Sequence, residues 1–547
     1  MAPTDRALLT ALGLGWTASL APAWRRFARA ARDPERAQLE LLKRLVRENA
    51  STAYGQAHRF EDVRDLASWQ RRVPIVRHEA LVPWIARVAA GEMRVLTSEP
   101  VRMLERTGGS TDANKLVPYT AGLLADFAAA TGPWLFDLHR RHPGLLGTRS
   151  YWSVSPVARE PERTEGGLPI GLEDDTAYFG PLERFALGRM MAVPGRLARM
   201  RDVDAWRFET ARRLLAADDL GLISVWSPTF LTLLMEHVEA RLGDLLACLP
   251  EKRAARIEAA VQAEGRVTGA ALWPRLAVVS CWADGPSEQA MPALRRFFPK
   301  TAIQPKGLLA TEGVVSFPLC RGAGDGRGGD GRGGAVAAAT SHFLELIDLS
   351  RPDAPPVLLH EAEVGGRYSP VLSTRGGFYR YHLPDVVEVT GRHGALPRLR
   401  FVEKLERVSD RFGEKIHAAQ VRAGLERATA KTGIVPRFAL LAPSDDAPPR
   451  YRLYLEAVGD GAACARFGRA LEAQLEESHH YAYCRRLGQL APLEVRRVKD
   501  GAATYLRVQQ ARGQRAGDVK LTCLDPRGGW DAAFPPAGEA AAARVRP

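Results

Sequence analysis

The stretch that most limits what this chain can fold into is LAVVSCW at residues 276–282, where Ser280 is the one polar member. A half-wet sheet needs alternating apolar and polar side chains, so an unbroken apolar run this short reads as a strand covered on both faces. Strand-like runs recur at 149–157 (RSYWSVSPV), 222–226, 302–311 and 314–318. Between them the spacing turns helical: Leu124, Phe127, Ala128, Leu135 and Leu138 mark one face of a long helix, and 229–242 form another. Strands alternating with helices over roughly 300 residues predict an α/β domain with a largely parallel sheet, whose ligands sit at the carboxyl ends of its strands.

A length of 547 residues exceeds what one core organises, so at least two domains are expected. Residues 398–402 are the last strand of the large domain, followed by a charged turn, EKLERVSDRFGEK, at 403–415. Beyond it the pattern becomes a smaller α+β one. The predicted domains are 1–404, with an N-terminal helix in 1–34 and a flexible Gly-rich loop at 321–335, and 405–524; 525–547, rich in Pro, Gly and Ala, reads as a disordered tail. A GxGxxG match inside the Gly-rich loop opens no helix and carries no dinucleotide reading.

The net charge of +13 comes from arginines scattered through helices, without an aromatic-interleaved stripe or a recognisable nucleic-acid module, so no nucleic-acid partner is expected. The six cysteines are widely spaced, with no CxxC and no companion histidines, and read as reduced thiols of a cytoplasmic protein. Residues 7–24 are apolar, but Gly13, Gly15, Thr17 and Ser19 interrupt them. They read as an N-terminal helix packing on the main domain, too short and interrupted to be a transmembrane segment, with a signal peptide ending at Ala21-Pro22-Ala23 as the alternative.

Residues 107–115 (TGGSTDANK) have the composition of a loop that holds phosphates. Glycines let backbone N–H groups close around an anion, Ser110 and Thr111 add short donors, and Lys115 supplies charge. Asn114 and Leu116 break the GxxxxGK[ST] pattern, which excludes a P-loop NTPase. Three later features answer this loop. Thr311-Glu312, in GLLATEGVV, could hold Mg²⁺ bridging phosphates; Asp385, in FYRYHLPDVVEVTG, is suited to ribose hydroxyls; Lys520 lies in GQRAGDVKL. Singly, each also reads as a plain turn or surface residue.

In this order, with STAYGQAHRFEDV at 51–63, RRVPIVRHEAL at 71–81, GEMRVLTSEPVRMLERTGGST at 91–111 and APLEVRRVKDG at 491–501, the sequence resembles the auxin-responsive Gretchen Hagen family of acyl acid amido synthetases, within the adenylate-forming superfamily. The resemblance covers about residues 35–524 and implies a large multi-layered α/β adenylating domain with a smaller mobile α+β C-terminal domain. It implies that Thr107, Gly109, Ser110, Thr111 and Lys115 enclose the ATP phosphates, that Thr311 and Glu312 face the α-phosphate and Mg²⁺, and that Asp385 takes the ribose. Residues 401–407 would be the hinge on which the small domain rotates, and Lys520 its catalytic lysine.

The implied activity is ATP-dependent activation of a carboxylic acid as acyl-AMP, then transfer to an amine such as an amino acid, by a monomer. Transfer to a thiol, and a catalytically degenerate nucleotide-binding regulator, are the alternatives. Trp152, Ser155, Trp226, Thr229 and Trp282 fall where the family builds its acyl pocket, though such aromatics read equally as core. Three positions depart from the family pattern. Gly108 replaces a commoner serine, Asp112 sets an acid beside phosphates, and Leu308 stands where many relatives stack a tyrosine on adenine.

Overall fold

The apolar run at 276–282 does become a fully buried strand. In the computed structural model, which describes residues 3–107, 115–153, 162–171, 188–200, 202–319, 333–405, 408–444, 446–514 and 516–535, all four residues of Val278–Cys281 are buried. The chain divides into two units: Met1–Asp284 with Leu294–Val402 and Gln514–Asp518, and Gly285–Ala293 with Glu403–Gly513 and Val519–Pro547.

The first unit opens with helix α1 (Pro3–Ala30), and α2 (Ala121–Arg141) packs beside it. Leu9, Trp16, Leu20 and Phe27 recur on the buried side of α1 at helical spacing. The two helices approach closely at Gly132, where an added Cβ would lie 3.1 Å from that of Ala23. Trp16 meets the His139 ring edge-on, and Trp24 stacks on Phe136. This packing corrects the expectation of a short, interrupted segment: α1 runs unbroken through Gly13, Gly15 and Pro22. Proline removes one helical hydrogen bond, and the flanking contacts hold the helix across it. Arg6–Ala30 is long and apolar enough to cross a membrane by length and composition, and 22% of its most apolar window is buried in the protein.

Between α1 and α2 lies a hairpin, β1 (Met103–Arg106) with β2 (Leu116–Tyr119), in register from Met103↔Tyr119 to Arg106↔Leu116. Four strands then form a parallel sheet in chain order: β3 (Arg149–Trp152), β4 (Leu220–Ser224), β5 (Val278–Cys281) and β6 (Ala302–Pro305). Helices cross over between them, so all four carboxyl ends face the same way. The helix after β4, Pro228–Ala240, starts from Ser227, whose Oγ accepts from the Phe230 N–H at 3.4 Å.

The larger sheet differs from expectation. In the eight-stranded sheet, centred on Arg367–Ser373 and its long pairing with Phe343–Asp348, the ladders among the described residues run antiparallel, in contrast to the parallel sheet of β3 to β6. Short connections such as 374–380 and 394–395 leave no room for the crossover helix a parallel pair requires. Behind the large sheet, Arg380 and Glu345 form a buried ion pair (3.0 Å), and Arg380 also donates to the carbonyls of Gln70 and Val73, tying the helix Leu66–Arg72 to the sheet.

In the second unit, Pro436–Pro443 pairs antiparallel with Tyr451–Ala457, which pairs parallel with Glu494–Arg497. The helices Ala418–Thr432 and Gly461–Leu475 pack together over a core that includes Val421, Leu453, Phe467 and Leu471. Residues 525–535, expected to belong to a disordered tail, are held in place, and 536–547 lie outside the described residues. Trp530 is fully buried and stacks on Tyr505 at 5.1 Å, and Asp531 accepts from Tyr454 at 2.7 Å. A buried indole stacked on Tyr505, with the neighbouring carboxylate bound to Tyr454, holds that segment in place, which Pro, Gly and Ala content alone did not suggest.

Candidate functional site

The hairpin β1–β2 sets the base of the phosphate-loop candidate: the Thr107 N–H donates to the Lys115 carbonyl at 3.0 Å, so the loop leaves and returns at one paired position. Gly109, Ser110, Thr111 and Asp112 lie outside the described residues. Past β2, Thr120 caps α2 through Oγ1, which accepts from the Leu123 N–H. The strand β2 had been missed. Its Val and Tyr favour strand, but Pro118 masked the signal, and the hairpin tolerates Pro118 opposite Leu104.

Lys115 lies 3.3 Å from the Glu79 carboxylate, which its own backbone N–H, with help from Lys115, holds below the ordinary range. Thr311 and Glu312 do not simply follow a strand. They form the two-residue turn of a small hairpin between Leu309–Ala310 and Gly313–Val314. Two tyrosines hold that turn: Tyr119 donates to the Thr311 carbonyl at 2.8 Å, and Tyr381 donates to Glu312 Oε1 at 3.2 Å. Glu312 is itself buried. Behind the turn Gly313 is obligatory, because an added Cβ would lie 2.8 Å from Nε2 of the buried His342.

Asp385 opens the strand Asp385–His393 and is buried, its carbonyl accepting from Ser369 Oγ at 3.0 Å. The Tyr381 phenol reports how these groups gather. It is driven far above its ordinary range, first by burial, then by the charge of Glu312, and further by those of Glu79 and Asp385. Tyr381 therefore bonds Glu312 and lies within reach of the charges of Glu79 and Asp385, and Glu79 in turn pairs with Lys115. Sequence reasoning missed Tyr119, Tyr381 and Glu79. Tyr381 stood inside the quoted YRYHLPD signature, and only its contact with Glu312 marks it out.

Among the described residues no group of three or more His, Cys, Asp and Glu could hold a metal ion. One buried carboxylate beside a hydroxyl fits Mg²⁺ arriving on a nucleotide, since that ion is commonly held by one or two protein carboxylates and by substrate phosphates.

The carboxyl ends of β3 to β6 carry a second group. Trp152 ends β3, Trp226 and Trp282 follow β4 and β5, and Trp134 projects from α2. The rings of Trp226 and Trp282 lie 5.6 Å apart, and those of Trp134 and Trp152 meet edge-on at 5.9 Å. Trp152, Trp226 and Trp282 are each half-buried rather than sealed in the core. Thr229 is buried in the first turn of Pro228–Ala240, and Ser155 lies outside the described residues. The sequence reading omitted Trp134 and Lys306, whose Nζ donates to Ser224 Oγ at 2.8 Å. Lys306 directly follows β6, and its place at a strand end was the available signal.

Lys520 belongs to the second unit, half-buried between the buried Val519 and Leu521. The expected hinge begins inside a strand: Leu396–Lys404 continues through Phe401, and residues 406–407 lie outside the described ones.

A four-stranded parallel sheet, a larger antiparallel sheet and a small hairpin that carries the acidic turn together make a fold similar to that of solved acyl acid amido synthetases. The structure matches the GH3.15 acyl acid amido synthetase with a TM-score of 0.75 at 18% identity, over 91% of this chain and 92% of that one. It matches AtGH3.15 acyl acid amido synthetase in complex with 2,4-DB equally well, at 17% identity over 96% and 95%. The models of the GH3 family N-terminal, central and C-terminal domains match residues 23–249, 335–404 and 419–525, and the chain belongs to the GH3 family. Among curated relatives it is 26% identical to the probable indole-3-acetic acid-amido synthetase GH3.12 of Oryza sativa subsp. japonica, over 92% of this chain and 93% of that protein. It is 22% identical to the jasmonoyl–L-amino acid synthetase GH3.5 of the same subspecies, over 86% and 88%.

Proposed function

We propose that this protein is an ATP-dependent acyl acid amido synthetase, which activates a carboxylic acid as its acyl adenylate and passes the acyl group to an amine, an amino acid in the simplest case. The observation that carries this reading is that Tyr381 bonds Glu312 within reach of the charges of Asp385 and Glu79, and that Glu79 pairs with Lys115. Attack of a carboxylate on the α-phosphorus brings anions together, and Mg²⁺ supplies positive charge there when bound. Lys115 adds cationic charge at the phosphates, and the 107–115 loop adds backbone and hydroxyl donors. Glu312, oriented by the Tyr381 hydroxyl, would hold Mg²⁺, and Asp385 would accept from the ribose hydroxyls. Lys520 of the second unit would be brought to the reacting carboxylate by rotation about the segment near residue 405, and water must be kept from the adenylate until the amine arrives. Among the described residues Cys248, Cys281, Cys464, Cys484 and Cys523 are free thiols, which supports a cytoplasmic setting.

ATP–pyrophosphate exchange across a panel of carboxylic acids tests the reading. Exchange that leads to product only when an amine is added supports it. Product formed with a thiol identifies a thioester ligase, and ATP binding without exchange for any acid identifies a degenerate nucleotide-binding protein.

A further inference from the structure

Helix α1 turns an apolar face to water. Leu9, Trp16, Leu20 and Phe27 bury one of its sides in the protein, and a helix packed in that way normally carries charge on the other. Residues 7–24 hold no charged side chain at all. The outward side instead presents Leu8, Ala11, Leu14, Ala18 and Pro22, all exposed, with Leu8 at 52% and Leu14 at 54%. Helical rise extends this line over roughly 21 Å, and on the same side the last two turns carry Arg25, Arg26 and Arg29. No Asp or Glu occurs between residues 6 and 32, and Arg25, Arg26 and Arg32 make no ion pair among the described residues.

The amino-terminal half of the line has a cationic flank as well. A groove of about 890 Å³ lies between it and the helix Glu251–Glu264, lined by Arg6 and Leu14 on one side and by Arg256 and Arg275 on the other. The two acids in that groove have arginine partners: Asp219 lies 2.6 Å from Arg149, and Asp218 lies 3.5 Å from Arg256. Arg6 and Arg275 are exposed and face water. A second copy of this chain offers no acid on the same face to meet these cations. Apolar side chains beside a collar of arginines do match a bilayer surface, where acyl chains lie beneath anionic phosphates and long arginine stems let the charge reach them. The helix cannot leave to span the bilayer, because its other side is built into the core.

We propose that the outer face of α1 is a peripheral membrane-binding surface for anionic lipid: Leu8, Ala11, Leu14 and Ala18 enter the boundary between headgroups and acyl chains, and Arg25, Arg26 and Arg29 bind lipid phosphates. The reading is independent of the amido synthetase activity and adds a location to it, the anionic face of a membrane.

Co-sedimentation of the full chain with vesicles of phosphatidylcholine and phosphatidylserine, against vesicles of phosphatidylcholine alone, tests this. The wild type should pellet with the mixed vesicles and be released by salt. Each arginine at an anionic surface is worth about fivefold, so Arg25→Gln, Arg26→Gln and Arg29→Gln together should weaken that binding about a hundredfold. Leu8→Glu with Leu14→Glu should weaken it about tenfold or more. Val435→Glu with Val458→Glu, at exposed apolar positions of the second unit, should leave it unchanged. Should the leucine variant fail to fold, the arginine variant carries the test. No pelleting with the mixed vesicles, equal pelleting with both compositions, or binding unmoved by the α1 variants overturns the proposal. An equal loss in the Val435 and Val458 variant overturns the role of α1. A dimer in sedimentation velocity that the leucine variant abolishes, with no vesicle binding, shows that a second copy covers this face and overturns the assignment to lipid.

Discussion

Within the first unit the proposed nucleotide region and the proposed acyl region hold their polar groups by different means. Lys115, Thr311, Glu312 and Asp385 sit at hairpin bases, turn tips and strand starts, where a few backbone hydrogen bonds and two tyrosine hydroxyls fix them. Trp152, Trp226, Trp282 and Lys306 are instead placed by the stagger of four parallel strand ends, and they orient one another by ring contacts. Each turn-set residue is placed by backbone bonds and hydroxyls at its own hairpin base, turn or strand start. Residues set by strand ends are distant in sequence, and the same scaffold accepts other side chains there. The difference teaches where catalytic invariance and substrate choice can be separated in such a fold.

The largest effect should come from the frame behind the turn-set region. Arg380→Met leaves the buried Glu345 with no cation, only the neutral N–H donors of Gln70 and Trp69, and is expected to cost about 3–5 kcal/mol in urea unfolding, because neutral donors do not replace a counter-charge in the interior. A loss under about 1 kcal/mol would mean that Glu345 finds other partners. Next, Glu312→Gln should lower pyrophosphate exchange by about 100- to 1,000-fold while acid binding measured without ATP stays unchanged. If acid binding falls as well, the two regions are not separable. Trp226→Leu is the converse: the KM for the acid rises about tenfold and that for ATP is unmoved, as expected for a lost aromatic contact.

Buried neutral histidines stand beside both regions. His139 lies on α2, the helix that carries Trp134, and burial pushes its pKa down to about 4; burial, helped by Arg375, pushes that of His342, behind Gly313, to about 3. A histidine whose folded pKa is depressed below the unfolded value near 6.5 binds its proton more readily when unfolded. Its contribution is therefore present above pH 6.5 and lost as pH falls, by up to about 1.4 kcal/mol per pH unit for each group. Asp126 acts in the opposite sense. Burial, against the pull of Arg375, raises its carboxyl to about 6, so the native state gains as pH falls from 6 toward 3.8. With two histidines against one carboxyl, the thermal midpoint should drop between pH 7 and pH 5, and His139→Asn should flatten that slope. An unchanged midpoint would show that these rings gain water before unfolding. The smallest effect is expected from Asp112→Gly, which removes the one acid of the proposed phosphate loop and should tighten ATP binding a few-fold by equilibrium titration. Unchanged or weaker binding would place that side chain away from the nucleotide.

Much of the turn-set region was legible because its residues lie in short signatures: TGGSTDANK, LLATEG and YRYHLPD name Lys115, Glu312 and Asp385 without any coordinates. What the signatures hid was how the residues are held. Tyr381 reads as one aromatic among several in FYRYHL, and its hydrogen bond to Glu312 crosses 69 positions of chain. Trp152, Trp226 and Trp282 were visible as aromatics near strand ends, but core and pocket look alike in sequence, since both are apolar. Lys306 was invisible for a related reason: its partners Ser224, Trp134 and Trp226 come from three separate elements.

By itself the sequence determined the alternation of buried strands with amphipathic helices, the family signatures and the identities of the turn-set residues, because periodicity and short motifs are properties of neighbours along a chain. Only the tertiary structure decided that the larger sheet is antiparallel, that α1 runs on through Pro22 against α2, that Trp530 anchors the segment after 525, and that a lysine sits in a tryptophan box. Each of these depends on surfaces that meet across long loops, where burial and the pairing of distant backbones outweigh local propensity.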